Sequence, residues 1–278
     1  MYKYSIILLT LFSWSVSQAQ RASKVTLALG QKIVMKSTDS TNNTQKRGEE
    51  KMDMKTNSST VSEYEVIGKS ATGYTLKTTL QKIYVNFDGF GQKMEFDSED
   101  PKKQEGMMAD QIKDKVGKAD TIEITLDGKK VDEEGDDKGK GKGKGQGRRM
   151  MRMMDQQSGN IENAFLFVPA EAKEGNGWKK DDSKETLKSQ TIYFVERING
   201  QIAEISFKKK TKGTRTLKRE QGEMVMEIDN LSSGTLLVDM NTGLVKSFQE
   251  EENTNTKMNM MGQDMPSTGR TVSKVVFE

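Results

Sequence analysis

Methionine clusters are the residues of this sequence with the most distinctive chemistry. Two clusters stand out: Met150, Met151, Met153 and Met154, and then Met258, Met260, Met261 and Met265. Thioether sulfurs are soft ligands that suit Cu(I), and they also pack well in strands and in grooves that accept varied apolar ligands. Met258 and Met260 alternate with polar residues like one face of a strand. Packing is therefore the principal interpretation, and Cu(I) binding is the alternative.

The residue types that are missing exclude much of the usual site chemistry. The 278 residues include no His and no Cys, so this chain has no Ser-His-Asp triad, no thiol nucleophile and no zinc site built from nitrogen and sulfur ligands. Carboxylates occur in runs such as 97–100 and 250–252, which are typical of solvated faces and turns. We predict no enzyme activity, no catalytic residues, no cofactor and no dedicated metal site.

The first 19 residues have the pattern of a secretory signal peptide. Lys3 precedes an apolar run from Ile6 to Val16, and Ser17 and Ala19 place small residues before the cleavage site. That run, like every later apolar stretch, is shorter than the ~18 residues of a spanning helix. We predict export to the periplasm or beyond, a mature chain of residues 20–278, and no transmembrane span.

Alternation of polar and apolar residues at period two predicts the fold class. Segments such as Tyr64-Glu65-Val66 are typical of antiparallel strands with one wet face. Turn residues between the runs, including Asp88-Gly89, Asp127-Gly128 and Asn199-Gly200, favour hairpins. We predict strands near 24–29, 31–38, 49–57, 60–68, 73–86, 91–97, 120–131, 187–198, 201–210, 214–229, 232–240, 243–252 and 268–278. The expected fold is mainly β (α+β), a single domain with a long curved antiparallel sheet or half-barrel.

One or two short helices are expected to cover that sheet. Met108, Ile112 and Val116 fall four residues apart downstream of Pro101, which predicts one amphipathic helix over 103–116. A second helical turn is predicted near 158–166.

Residues 132–156 form a low-complexity insertion. An acidic block is followed by alternating Lys and Gly from Lys138 to Gly145, and such a segment has little to bury and high backbone entropy. The principal interpretation is a disordered linker, and the alternative is peripheral contact with an anionic surface. No aromatic residue that could stack on bases lies in the Lys/Gly tract, so we do not expect nucleic-acid binding.

Several short segments carry a family resemblance. In chain order they are Leu29 to Ile33, Phe96 to Asp100, Gly117 to Lys129, Phe167 to Pro169, Gly177 to Lys179 and Gly234 to Val245. Their order resembles a domain-of-unknown-function family of exported proteins common in Bacteroidota, over most of the mature chain. That family has no established activity, so the resemblance implies an exported β-rich protein and adds no catalytic residue.

The plan of strands, helix and long strands is also similar to periplasmic lipoprotein carriers and lipid-binding lipoproteins, whose curved sheet encloses an apolar cavity. This likeness implies a non-enzymatic envelope protein that binds a lipid or other apolar small molecule. The alternative is a structural or interaction module that presents sheet edges or the basic tract to an envelope protein. Cu(I) binding by the methionine clusters is the third hypothesis.

Overall fold

The chain forms one open antiparallel sheet. The computed structural model describes residues 21–106, 108–131, 160–184, 186–219, 222–260 and 263–278. Over these residues the strand order is β4-β3-β2-β1-β11-β10-β9-β8-β7-β6, and β5 pairs with β3 beside β4. The strands are β1 Lys32–Arg47, β2 Glu50–Lys69, β3 Gly73–Gly89, β4 Gln92–Asp97, β5 Ala119–Thr125, β6 Gly177–Lys184, β7 Leu187–Asn199, β8 Ile202–Arg219, β9 Gly222–Asp239, β10 Val245–Met260 and β11 Gln263–Phe277. The predicted mainly β class, with one large antiparallel sheet, is confirmed.

Pairing of the first and last long strands joins the two halves of the chain. β1 pairs with β11 from Met35↔Phe277 to Gln45↔Ser267. The other long neighbours are sequential hairpins, for example β1–β2, which runs from Lys32↔Glu65 to Arg47↔Glu50. Alternate residues of a strand share one face of the sheet, except where the register shifts in the β2–β3, β7–β8 and β9–β10 pairings.

One face, which we call the inner face, is buried at its base by two covering segments. Residues of 21–29 and 160–172, such as Val25 and Phe165, pack in one apolar cluster with Ile124 of β5 and Ile205 of β8. These two strands are far apart in the strand order, so the cluster extends across much of the sheet. The Val25 N–H donates to the Leu126 carbonyl at 2.7 Å.

The opposite, outer face is solvated and carries ion pairs between neighbouring strands. Arg270 of β11 contacts Glu251 of β10 at 2.7 Å, and Lys212 of β8 contacts Asp229 of β9 at 2.7 Å. This division into a buried and a wet face is what the period-two pattern predicts.

The predicted helix over 103–116 is much shorter in the structure. A 3₁₀ turn covers Pro101–Lys103, and α1 covers only Ala109–Ile112. The helix starts at Met108 without the side-chain cap that commonly stabilises a helix start, and the Asp110 N–H donates instead to the Gly106 carbonyl at 3.1 Å. The apolar stripe itself is confirmed: Met108 and Ile112 are buried in a second cluster on β3 and β4, and Val116 packs against it.

The second predicted helical turn is confirmed as a 3₁₀ turn, Ile161–Ala164. The Asn160 side chain caps it by accepting a hydrogen bond from the Glu162 N–H. None of the helices in the described ranges is long and apolar enough to cross a membrane. The predicted signal peptide and the low-complexity insertion at 132–156 lie outside those ranges.

Several predicted strand limits are wrong. Residues 24–29 form no strand and belong to the covering segment. The predicted pair 49–57 and 60–68 is the single strand β2. The segments 201–210, 214–229 and 232–240 are two strands, because β8 and β9 form one hairpin that closes at Arg219↔Gly222.

Candidate functional site

Polar side chains occupy the middle of the inner face. We call this set the polar belt; its members are Ser37, Asp39, Ser58, Thr60, Thr191, Asn230, Ser232, Glu250, Glu252 and Ser273. Six of them, including Asp39 at 4% exposure and Thr60 at 4%, are buried. Apolar residues of the base lie on one side of the belt, and a methionine-rich end lies on the other. Burying polar groups lowers the stability of a fold unless those groups form hydrogen bonds. Each hydrogen bond within the belt therefore contributes to the stability of the sheet.

Hydroxyl pairs between neighbouring strands satisfy part of the belt and its border. Ser37 and Thr60 share a hydrogen bond of 2.8 Å between β1 and β2. Next to the belt, Thr41 and Thr271 share one of 3.0 Å between β1 and β11. Pairs of this kind are typical of facing residues in antiparallel sheets.

Asp39 is the exception at the centre of the belt. It lies on β1 between Ser58 of β2 and Ser273 of β11, which are its register partners. The Ser273 hydroxyl donates to the Asp39 carboxylate, but the Oδ2 oxygen is buried and has no hydrogen-bond partner. Burial raises the pKa of Asp39 to about 6, and the Ser273 hydrogen bond offsets part of that rise.

Glu250 places a second carboxyl group in the belt. Glu250 lies on β10, and its register partner is Ser273 of β11. Burial raises the pKa of Glu250, while a hydrogen bond from Ser232 and the charge of Lys209 lower it; the charges of Glu252 and Asp39 raise it further. The belt therefore concentrates negative charge in a poorly solvated place.

A second unsatisfied acceptor lies nearer the sheet edge. The Asn230 amide nitrogen donates to Glu252 at 2.9 Å, whereas its Oδ1 oxygen is buried without a partner. The register partner of Asn230 is Thr211, and Thr211 bonds to Ser189 at 3.0 Å. Ser189 helps to line a cleft of about 530 Å³ together with Asp181, Asp182, Ser183, Lys188, Gln190, Lys210 and Lys212.

That cleft differs from the apolar cavity that the sequence analysis expects. Its lining is charged and hydroxylated, so it suits a polar group and not an alkyl chain. Among the described residues, no group of three acidic side chains is placed to hold a metal ion.

The two acidic runs, 97–100 and 250–252, have different positions in the fold. Asp97 and Asp100 accept hydrogen bonds from backbone N–H groups of the turn after β4, as the sequence predicts for turn residues. In the run 250–252, Glu251 pairs with Arg270 on the outer face, whereas Glu250 and Glu252 face the belt. The prediction of a solvated face is therefore wrong for Glu250.

The structure describes three of the eight methionines in the two predicted clusters. Met150, Met151, Met153, Met154 and Met261 lie outside the described residues. Met258 and Met265 are direct register partners on β10 and β11. Met226 of β9 is the register partner of Met258 on the other side. Met226 is more than thirty positions from Met258 in the chain, so sequence spacing does not predict that the two are neighbours.

Asp39 was also missed, although its signal was present. Ile33 and Met35 mark the inner face of β1, and Asp39 has the same parity. The predicted strand ends at residue 38, one residue before Asp39, whereas β1 continues to Arg47. Asn230 falls between the predicted strands 214–229 and 232–240, whereas β9 runs through it without a break.

The comparisons with known proteins identify a family. A model of a family of unknown function, DUF6263, matches residues 71–245. The chain belongs to this family. Membership confirms the predicted resemblance as far as a family of unknown function, and DUF6263 itself brings no activity. The comparison of this DUF6263 protein with curated proteins gave no match.

Several solved structures are distantly similar to this DUF6263 chain. It is similar to OpdQ of Pseudomonas aeruginosa at a TM-score of 0.27 and 6% identity, covering 90% of this chain and 100% of that chain. It is similar to OccK5 (OpdH) of the same organism at a TM-score of 0.25 and 7% identity, covering 90% and 99%. An outer membrane channel from Pseudomonas putida F1 gives 0.21 and 6%, covering 93% and 99%. Scores this low carry no argument about fold or function.

Proposed function

We propose that this DUF6263 protein is an exported, non-enzymatic protein of the bacterial envelope that binds an amphiphilic ligand at the polar belt. The observation that carries the proposal is the Asp39 carboxylate, which is 4% exposed and has one oxygen without a hydrogen-bond partner. Native structures rarely leave such a group unsatisfied, because its desolvation opposes folding. A bound molecule that donates hydrogen bonds would remove that penalty.

The charge of the belt selects the head group of the ligand. Asp39, Glu250 and Glu252 are acidic, and Lys209 is the basic residue whose charge acts on Glu250. The unsatisfied atoms, Asp39 Oδ2 and Asn230 Oδ1, are both acceptors. A primary ammonium group supplies positive charge and three donors, so it complements the belt better than a carboxylate or a phosphate.

The flanks of the belt supply apolar contact for the rest of the ligand. On the base side, Phe207 stacks on Phe248 with ring centroids 5.7 Å apart, and Trp178 stacks on Tyr193 at 4.8 Å. On the opposite side lies the methionine-rich end of β9 to β11. An ammonium head with an alkyl tail fits this order of surfaces.

Native mass spectrometry and calorimetry with three probes test this proposal. Dodecylamine has both an ammonium head and an alkyl tail, laurate has the tail with a negative head, and putrescine has ammonium groups without a tail. Measurements at pH 7.5 and below the critical micelle concentration are expected to show dodecylamine binding at least tenfold more tightly than either of the other two. Tenfold corresponds to about 1.4 kcal/mol.

The matched variants are Asp39→Asn and Asp120→Asn, the second at an exposed position at the start of β5. Asp39→Asn should weaken dodecylamine binding at least tenfold, and Asp120→Asn should leave it unchanged. Equal affinity for laurate and dodecylamine, or unchanged binding in Asp39→Asn, would contradict the proposal.

A structural or interaction module is the second candidate, and an exposed apolar pair favours it. Ile192 and Phe194 of β7 are 53% and 40% exposed on the outer face, beside strand β6 at the end of the strand order. A photo-crosslinking residue at position 192 should then give one discrete protein adduct in the native envelope, and Phe194→Lys should abolish it. The same residue placed at Thr235, exposed on the outer face of β9, is the control.

A further inference from the structure

Three methionines from separate strands stand in one row on the inner face. Met226 of β9 is the register partner of Met258 of β10, and Met258 is the register partner of Met265 of β11. Residues that pair directly across antiparallel strands have Cβ atoms ~5 Å apart and point to the same side. The methionine side chain has three rotatable bonds to its methyl group, so three thioethers in such a row can converge on one point.

Among the described residues, the row lies outside the two apolar clusters. Met265 is 8% exposed, and Met224, which lies two residues before Met226 on the same face of β9, is 4% exposed. Neither belongs to the base cluster or to the cluster under α1. Methionines that only fill a core would be packed among Leu, Ile, Val or Phe side chains of those clusters.

We propose that Met226, Met258 and Met265 bind one soft monovalent metal ion, Cu(I), in a site that shares no residue with the polar belt. Thioethers select soft ions, whereas divalent ions of intermediate hardness need imidazole, thiolate or carboxylate ligands. The chain has no His or Cys. The nearby carboxylate of Asp264 pairs with Lys257 at 2.8 Å and has outer-face parity.

One neighbouring charge sets the expected affinity. Arg215 of β8 is the register partner of Met226, and it is exposed. A guanidinium beside a neutral thioether set repels a cation, so the site should bind Cu(I) more weakly than thiolate sites do. Replacing this charge in Arg215→Gln should tighten binding about twofold or more.

The experiment is a titration of the full chain with Ag(I), a redox-inert probe of the same class, and with Cu(I) under reducing conditions. Calorimetry should give one ion per chain. The protein labelled with ¹³C at its methionine methyl groups should show shifts in the signals of Met226, Met258 and Met265, assigned from single variants. The triple variant Met226→Leu/Met258→Leu/Met265→Leu should lose at least tenfold in affinity.

Met35→Leu is the matched control, because Met35 is 1% exposed in the base cluster at the far end of β1. It makes the same chemical change and should leave Ag(I) binding unchanged. Circular dichroism of the triple variant establishes that it is folded. The inference is overturned if the wild-type chain takes up no Ag(I), if the triple variant binds it equally well, or if only other methionine signals shift.

Discussion

Asp39 and Glu250 lie on one face of the sheet, two strands apart, with Ser273 between them in register. Two strand spacings of ~4.8 Å separate their backbones by ~10 Å. Each carboxyl group accepts one serine hydroxyl, from Ser273 and Ser232 respectively, and burial raises the pKa of both. The inner face therefore holds two carboxyl groups that are harder to ionise in the folded protein than in the unfolded chain.

Asp39→Asn is expected to stabilise the protein at neutral pH. The pKa of Asp39 is about 6 in the folded state against an ordinary 3.8. A raised carboxyl pKa means that the protonated form stabilises the fold fully below about pH 4, and this contribution is lost as the pH rises through about 6. At pH 7.5 the variant should gain on the order of 3 kcal/mol in free energy of unfolding, since the rise from 3.8 to about 6 is worth ~1.4 kcal/mol per pKa unit.

Urea unfolding at pH 4, 5, 6 and 7.5 measures this effect as the difference between the variant and the wild type. The difference should be near zero at pH 4 and reach its full value above pH 6. Asp120→Asn should show no such trend. If Asp39→Asn were less stable than the wild type at pH 7.5, the buried oxygen would have to possess a partner in solution.

Gly234 is expected to be the most sensitive small residue of the sheet. A Cβ atom at this position would lie 1.9 Å from the Gln249 carbonyl oxygen and 2.7 Å from the Phe207 ring. The first contact is with backbone, so β9 and β10 would have to move apart. Gly234→Ala should lower the free energy of unfolding by about 3 kcal/mol, within the range of overpacked cores. The control is Ser233→Ala, an exposed neighbour, which should unfold at nearly the wild-type urea concentration.

The ion pair between Arg270 and Glu251 is expected to contribute little, despite its good geometry. Two hydrogen bonds of 2.9 and 2.7 Å join the side chains, but both side chains are well exposed, at 59% and 41%. Water and salt screen such pairs. Arg270→Gln should leave the urea midpoint almost unchanged. A loss as large as that of Gly234→Ala would show that the outer face is more shielded than its exposure indicates.

Sequence periodicity predicts the sheet well, because burial on one face requires alternation in every strand. It fails where both faces are polar. Between Thr38 and Thr44 all residues of β1 are Thr, Asp, Ser or Asn, so the two faces cannot be distinguished and the periodicity predicts that the strand ends there. Strand β6, with the sequence Gly177-Trp-Lys-Lys-Asp-Asp-Ser-Lys184, was missed for the same reason. The polar belt is formed largely by such stretches, which is why the candidate site was not predicted.

Turn residues were placed correctly where their chemistry is typical and wrongly where it is not. Asn199-Gly200 forms a hairpin between β7 and β8, as predicted. The turn predicted at Asp88-Gly89 lies one to two residues too early, because Gly89 pairs with Gln92 and the loop is Phe90-Gly91. No propensity argument places a phenylalanine there.

The Phe90-Gly91 loop holds a phenylalanine at a positive φ angle. Phe90 has a φ of 54° and Gly91 a φ of 71°, the pattern of a two-residue type I′ turn, in which Asn-Gly is the favoured pair. A side chain with a bulky Cβ substituent is strained at positive φ, whereas Asn tolerates it. The Phe90 ring is 56% exposed, and its contact with Phe87 is a stacking at 6.4 Å. Phe90→Asn should therefore raise the free energy of unfolding by about 1 kcal/mol, measured by urea unfolding. Phe90→Ala removes the same ring without relieving the backbone and should not stabilise the protein; equal gains in both variants would attribute the effect to the ring and not to the turn.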